Sequence, residues 1–545
     1  MDTVLVVGGR TTGLMMSLEL ARRGIPVRCI DKSSAIDPHV RANLIHSRTL
    51  EILLGLGLVD KATEGSVAEE GLAYYRNGQL VGESLHQPID SPFPFGMSQS
   101  QAHLEAVLED HLREYGVEVE RGVALTALEQ DDDGVNVSFE RADGAQETEH
   151  YQWLVGCDGA RSEVRHLIGC DFPGEVDPFP YILGDVVVDG DLERGRGHVF
   201  FHDNGELFLF STLPGERRLI CANLAAGETT EGAPTLQQLQ DVVSERGISS
   251  MRLRDPRWLA YFHINYRLAT HYRQGRVFLA GDAAHIHSLL AGQGMNTGIQ
   301  DAQNLGWKLA LVARRHAPED LLDSYEAERR QVGENVVSMT RDITQAVEQY
   351  ADLSEEERSK LISHMFTPEP ERLNAARHLQ EVDLDYHASP ISLEVAGEFS
   401  GGISPGKQCP EAGPLLVNDE PTTLLQLKDL SAYRLFLFQG QSANADLKHL
   451  HRIADGAVSR FGQWLTPYIV TAKETAGSPT AGSKLNIILD QEGAMHRKFE
   501  ANTACLYLIR PDGYVAYRSK ELDSTDKYFD HMCMSRPAGS DEALA

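Results

Sequence analysis

Thr3-Val4-Leu5-Val6-Val7-Gly8-Gly9-Arg10-Thr11-Thr12-Gly13-Leu14 is the stretch that decides how this chain is read. A short β-branched run ends at two glycines, and a helical pattern then continues through Leu14, Leu18 and Ala21 to a stop at Gly24. Pro26-Val27-Arg28-Cys29-Ile30 reads as a second strand closing at Asp31. Strand, crossover helix and strand form a βαβ unit, which implies a parallel sheet covered by helices. Gly8 and Gly13 fill the first and third places of a dinucleotide fingerprint, while Arg10 stands in the second, where backbone meets a pyrophosphate. Alone, such a loop fits either a nucleotide site or a plain βα turn. Asp31 favours the first, because a carboxylate at that strand end can accept ribose hydroxyls.

Outward from this unit, Leu104 to Tyr115 reads as helix, and Trp153–Cys157 and Arg276–Ala280 read as further strands of the same sheet. The pattern changes between Pro173 and Arg267. There Tyr181–Val188, His198–His202, Glu206–Ser211 and Arg218–Asn223 alternate as antiparallel strands, which suggests an inserted sheet. Residues from Gln300 to about Ala351 are helical, and Glu355–Arg358 with Pro368–Glu371 read as a charged linker. The expectation is an α/β protein. A discontinuous Rossmann-like domain takes 1–72, 97–171 and 268–350, and a mostly antiparallel sheet domain takes 73–96 and 172–267. A helical and charged linker follows at 351–395, then a further α/β unit at 396–545 with a polar tail.

Composition narrows the function. The 545 residues carry 50 Lys+Arg against 80 Asp+Glu, a formal charge of −30 that would repel phosphate backbones, so nucleic acid is set aside as a partner. No segment approaches the ~20 apolar residues of a membrane span, and Met1-Asp2-Thr3 lacks the basic start of a signal peptide. The 7 cysteines are scattered with no CxxC, which argues against a disulfide framework or a cysteine zinc site and fits a reducing cytoplasm. A cytoplasmic enzyme without a metal site is expected.

Two more constellations sit at strand ends. One is Cys157-Asp158-Gly159-Ala160-Arg161-Ser162-Glu163-Val164-Arg165, readable as an ordinary Asp-Gly turn. The other is Gly281-Asp282-Ala283-Ala284-His285, followed by Gly292-Gln293-Gly294-Met295-Asn296-Thr297-Gly298. A carboxylate at a strand end can bind a sugar-like hydroxyl, and a glycine-rich loop entering a helix offers bare N–H groups to an anion.

Together these motifs resemble the FAD-dependent aromatic hydroxylases, the p-hydroxybenzoate hydroxylase-like flavoprotein monooxygenases. The stretches Tyr272–His285 and Gly294–Ala302 carry the resemblance most specifically. Ile509-Arg510-Pro511-Asp512-Gly513-Tyr514-Val515-Ala516 is similar to the thioredoxin-like domain of phenol and polyketide hydroxylases, here without a CxxC and so redox-silent. The resemblance implies FAD as cofactor, with NADPH or NADH bound transiently. It places Gly8, Arg10, Thr12 and Gly13 at the diphosphate, Asp31 and Lys32 at the adenosine ribose, and Arg41 beside a mobile flavin. It places Gln101 on the diphosphate–ribityl side, Asp158 in the Asp-Gly motif, and Gly281 and Asp282 at the ribityl chain. Gly292, Gly294, Met295 and Asn296 would lie at the isoalloxazine. Two departures stand out: Arg10 replaces a glycine, and Leu289 replaces the proline that the family places just before the flavin loop, where Ala291 also replaces a glycine.

The chemistry implied is NAD(P)H reduction of the flavin, O₂ capture as a C4a-hydroperoxide, and hydroxylation of a bulky phenolic or polyketide-type aromatic. No catalytic side chain is named, because the cofactor does the difficult step. Baeyer–Villiger insertion, epoxidation or oxidative rearrangement of a polycyclic quinone, and a flavin-binding protein without turnover, are the competing readings. His285 and His287 can be bases or structural histidines beside the loop. Phe95, Tyr181, Phe201, Phe208 and Phe210 are candidate substrate-wall residues, although an apolar strand face is more often core. The expected partner is a small aromatic molecule, and the expected state is monomer or homodimer.

Overall fold

The computed structural model describes residues 3–39, 42–85, 89–190, 192–228, 230–246, 250–289, 292–358, 360, 371–395, 399–417, 419–427, 431–441, 445–472 and 486–532. The apolar run Val4–Val7 is wholly buried in the middle of a six-stranded sheet. The strand order is Arg273–Gln274, Val277–Leu279, Trp153–Gly156, Val4–Val7, Val27–Asp31 and Val119–Arg121. All neighbours run parallel except the hairpin that Arg273–Gln274 makes with Val277–Leu279. Helices α1 (Thr11–Ala21), α2 (Gln101–Glu114) and α3 (Glu163–Leu167) belong to this layer, and α1 packs on α2. A three-stranded meander over Val123–Gln130, Val135–Arg141 and Gln146–Tyr151 flanks it, burying Val135, Val137 and Phe139 by alternation.

The inserted sheet has eight strands. The middle ones are Gly174–Asp189, Arg217–Asn223, Leu207–Thr212 and Arg196–Phe201, close to the four predicted runs. Arg252–Leu268 and His285–Ile286 extend one edge, and Gly71–Arg76 with Gln79–Leu85 the other. The single parallel pairing joins Gly71–Arg76 to Arg196–Phe201, so the early segment enters the sheet at Gly71, two residues before the expected boundary. Helix α4 (Leu236–Glu245) covers one face through Leu239 and Val243, in a cluster with Phe200, Phe208 and Phe210. The other face carries Tyr181, Leu183, Leu219, Cys221 and Tyr266, with Leu289 and Val337 packed on them.

Helix α5 (Gln293–Ala313) is buried along nearly its whole length and lies against α1 and the long α6 (Asp323–Glu348). The stretch read as a linker is in part built into this layer. Glu371–Leu379 is helical, Gln380 and Glu381 are buried beside α5 and Tyr386 beside α6, while Pro368-Glu369-Pro370 lies outside the described residues. The C-terminal unit is a mixed eight-stranded sheet. Tyr433–Phe438 and Leu465–Thr471 pair in parallel through the helix Leu447–Phe461, beside an antiparallel hairpin of Cys505–Ile509 and Val515–Ser519. Among the described residues, no helix is long and apolar enough to cross a membrane.

Candidate active site

The site begins where Val4–Val7 ends. Gly8 has φ +109°, and a Cβ there would stand 2.3 Å from the Cys157 carbonyl oxygen. A Cβ on Gly13 would stand 1.7 Å from the Gly8 carbonyl oxygen, so α1 can approach the strand only with glycine at this turn. Helix α1 starts with Arg10 as N-cap and no cap from that side chain; Glu105 Oε1 accepts from the Thr11 amide at 3.2 Å, which leaves the next first-turn N–H groups for an anion. Arg10 reaches over this end. Its Nε donates to Glu105 Oε1 at 3.2 Å and its Nη1 to Asp37 at 3.5 Å, while its Nη2 is buried without a hydrogen-bond partner among the described residues. Gln101 Nε2 donates to Glu105 Oε1 at 2.8 Å and to Thr11 Oγ1 at 3.2 Å. Bare backbone, an unfinished guanidinium and the remaining first-turn amides fit the diphosphate of a dinucleotide cofactor, with arginine supplying a donor where glycine is usual.

Asp31 is buried, and its two oxygens accept from the amides of Gly9 and Ser33, each at 2.7 Å; Lys32 is exposed beside it. Asp158 caps α3. Its Oδ1 accepts from Ser162 Oγ at 2.6 Å and its Oδ2 from the Glu163 and Val164 amides, and burial raises its pKa against those hydrogen bonds. From the same helix, Arg165 donates to the Ala283 carbonyl at 2.8 Å, tying the Asp-Gly turn to the loop that holds Asp282. Asp282 is exposed on that loop, while Gly281 has φ +60° and fits against Thr12, whose Oγ1 would lie 2.6 Å from a Cβ. Arg41 and Ala291 lie outside the described residues.

Beneath the loop runs a buried polar chain. Asp301 accepts from the Gly281 amide at 3.0 Å, from His285 Nε2 at 2.8 Å and from Arg329 Nε at 2.7 Å. Burial alone would raise the Asp301 pKa, but the Arg329 guanidinium and His285 outweigh it and hold it below the ordinary value. His285 is 1% exposed and committed to Asp301, so it supports the loop from below. His287 is pushed down to about 4 by burial and by His285, and is a neutral ring beside Gly294. Asn296 staples the loop: its Oδ1 accepts from the His46 amide, and its Nδ2 donates to the Leu44 and Gly292 carbonyls at 2.9 and 2.8 Å. Met295 is buried in the first turn of α5. Where proline was expected, the Leu289 carbonyl accepts from the Gly292 amide at 3.0 Å, closing the turn by a hydrogen bond.

A cavity opens between this loop and the inserted sheet, lined by Leu44, Glu69, His198, Phe210, Leu289 and Gln380 among others. Of the five expected wall residues, only Phe210 touches it. Phe208 lies with Phe200 in the cluster under α4, on the sheet face away from the loop. Tyr181 faces the loop side but packs on Phe262, Phe201 packs with Leu207, and Phe95 is half-buried next to Gly96, which lines the cavity. Alternation gives which residues share a face, and it does not say which face the cofactor sees. Glu105 and Glu69 carry no sequence motif. The one available signal for Glu105 was its place one turn after Gln101 on a helix.

The chain matches a family model described as FAD binding domain over residues 1–340. It is 35% identical over 426 residues to a flavin-dependent monooxygenase of Mycobacteroides abscessus, covering 75% of this chain and 84% of that protein. It is 31% identical over 534 residues to the 6-methylpretetramide 4-monooxygenase of Streptomyces rimosus, covering 96% of this chain and 91% of the relative. The solved anhydrotetracycline hydroxylase OxyS of Streptomyces rimosus superposes with a TM-score of 0.75 at 28% identity, over 97% of this chain and 99% of that one.

Proposed function

The chain belongs to the FAD-binding family of flavin-dependent monooxygenases, and from that premise we propose that it hydroxylates a bulky phenolic or polyketide-type aromatic with NAD(P)H as electron donor. The observation that carries this reading is the cavity between the glycine-rich loop of α5 and the inserted sheet, lined by polar as well as apolar side chains. Relatives named for tetracycline intermediates support the substrate class.

Gly8, Arg10, Thr12, Gly13 and Gln101 would hold the diphosphate of FAD, Asp31 and Lys32 its adenosine ribose side, Arg41 the flavin side, and Asp158, Gly281 and Asp282 the ribityl region. Gly292, Gly294, Met295 and Asn296 would line the ring system. When bound, FAD supplies electron transfer from NAD(P)H and activation of O₂. This chain's residues bind and orient. The α5 start at Gly292, with φ +64° and no side-chain cap, would present a positive helix end to the ring, favouring negative charge there. Leu289 and Leu44 keep the cavity wall apolar and help exclude water. We read the C-terminal unit as a thioredoxin-like, redox-silent module. We also place the enzyme in the cytoplasm, in line with the six described cysteines, all buried and unbridged.

The test is NAD(P)H oxidation by the FAD-loaded protein against a panel of phenols and polycyclic quinones, with product masses recorded. A ligand that stimulates oxidation and gains one oxygen on a ring carbon is expected. Bound FAD with no stimulation by any ligand, or oxygen inserted beside a ketone, would overturn hydroxylation.

A further inference from the structure

Among the described residues, Glu69 is the one carboxyl lining the cavity. It is 7% exposed, and its amide is fixed by the Gly96 carbonyl at 2.9 Å. Its carboxyl has no hydrogen-bond or ion-pair partner among the described residues. Three neighbouring polar side chains on the wall are engaged. The ring nitrogens of His198 face the Tyr75 hydroxyl at 3.3 Å and the Glu193 carbonyl at 2.9 Å. Gln380 Oε1 accepts from the amide and hydroxyl of Ser47, and Asn43 Nδ2 donates to Ser98 Oγ at 3.1 Å.

The space beside Glu69 is kept open by Gly197, where a Cβ would stand 3.1 Å from Glu69 Oε1. An unpartnered carboxyl costs stability in an apolar setting, so its presence in a cleft marks it for a ligand. Burial alone pushes it up to about 7, with no cation close enough to draw it down.

Resting on the reading of this cavity as the substrate site, we propose that Glu69 is the substrate-recognising carboxyl: it accepts a hydrogen bond from a phenolic hydroxyl of a polycyclic substrate. Glu69 lines the same cavity as Leu289 and Gly292 of the loop, so this bond would select which edge of the ring system meets the flavin. A hydrogen bond to the carboxyl also draws electron density into the phenol ring, which suits an aromatic hydroxylation.

The test uses the full-length, FAD-loaded protein at pH 8, where the carboxyl is mostly ionised. Binding of 2,7-dihydroxynaphthalene, whose hydroxyls have no internal acceptor, and of its dimethyl ether is read from the flavin absorbance, with FAD content recorded for every variant. Wild type is expected to prefer the hydroxylated probe by about tenfold, as one charge-assisted hydrogen bond supplies. Glu69→Leu should bind the two alike, and Glu69→Gln, which accepts through an uncharged amide oxygen, should fall to about threefold. A wild type without preference, or a preference that Glu69→Leu retains, overturns the proposal. Should Glu69→Leu lose its FAD, an undiminished preference in Glu69→Gln overturns it instead. A yellow wild type that binds neither probe overturns the cavity assignment with it, whereas a colourless one marks failure of the flavin reading.

Discussion

Arg510 of the C-terminal sheet donates two hydrogen bonds to Glu328 of α6, at 2.6 and 2.9 Å, and both side chains are fully buried. Lys308 of α5 adds a third at 2.8 Å, and Asp512 accepts from Arg510 Nε at 2.9 Å. Burial would raise the Glu328 pKa, but Arg510 and Lys308 outweigh it and hold it well below the ordinary range. Removing one member leaves a buried charge uncompensated, so Arg510→Ala should cost about 3–5 kcal/mol. Chemical unfolding followed by tryptophan fluorescence measures this, and a loss under about 1 kcal/mol would contradict the assignment.

Gly13→Ala should be among the most damaging single methyl additions in the chain, since the new Cβ would overlap the Gly8 carbonyl. The expected outcome is loss of FAD and a melting temperature lowered by several degrees, checked by absorbance at 450 nm and calorimetry. A yellow variant with unchanged melting would show that α1 can shift away from the strand.

Asp282→Ala should purify without FAD while melting close to wild-type apoprotein, because Asp282 is exposed on its loop. Flavin content per chain is the readout. Full occupancy would refute its place at the ribityl chain.

Glu381 shapes the pH response. Burial pushes it up to about 7 from an ordinary 4.5, against hydrogen bonds from Thr297 and Gln300. A folded pKa above the unfolded one means that the folded state binds more protons between the two values, so this group's contribution is present below about 4.5 and lost as pH rises to about 7. Glu381→Gln should remove that slope and be more stable than wild type at pH 8. Parallel stability curves for the two proteins between pH 4.5 and 7 would sink the idea.

Leu289→Pro should stiffen a turn now closed by the Gly292-to-Leu289 hydrogen bond. The ratio of product formed to NAD(P)H consumed is expected to change by at least about twofold, roughly the effect of a few tenths of a kcal/mol at a branching step. An identical ratio would make the departure incidental.

What the sequence made legible was local. The βαβ start, the Gly281-Asp282 loop and the four inner strands of the insert follow from runs and turns only a few residues long. The βαβ unit and those strands lie where their patterns placed them. Glu105 was invisible because its partner Thr11 is 94 residues away, and nothing in a helix repeat announces a carboxylate aimed at another helix's start. Phe208 was read toward the substrate because period-two spacing is blind to which side α4 covers. The stretch around Glu381 looked like linker because its charges suggested solvent, whereas Glu381 is buried and held by Thr297 and Gln300 of α5.

Helix α5 joins two jobs on one rod: its first turn enters from the loop that lines the cavity, and its later turns hold Asn304 and Lys308 against Glu328, Arg510 and Asp512. The segment that matches the family model ends at residue 340, before Arg510 enters the chain. Anyone shortening this enzyme, or exchanging tails between relatives to make chimaeras, therefore inherits a constraint. The tail that is grafted must bring an arginine and an aspartate in the Arg510-x-Asp512 spacing, or Lys308 and Glu328 must be replaced by apolar residues in the same step.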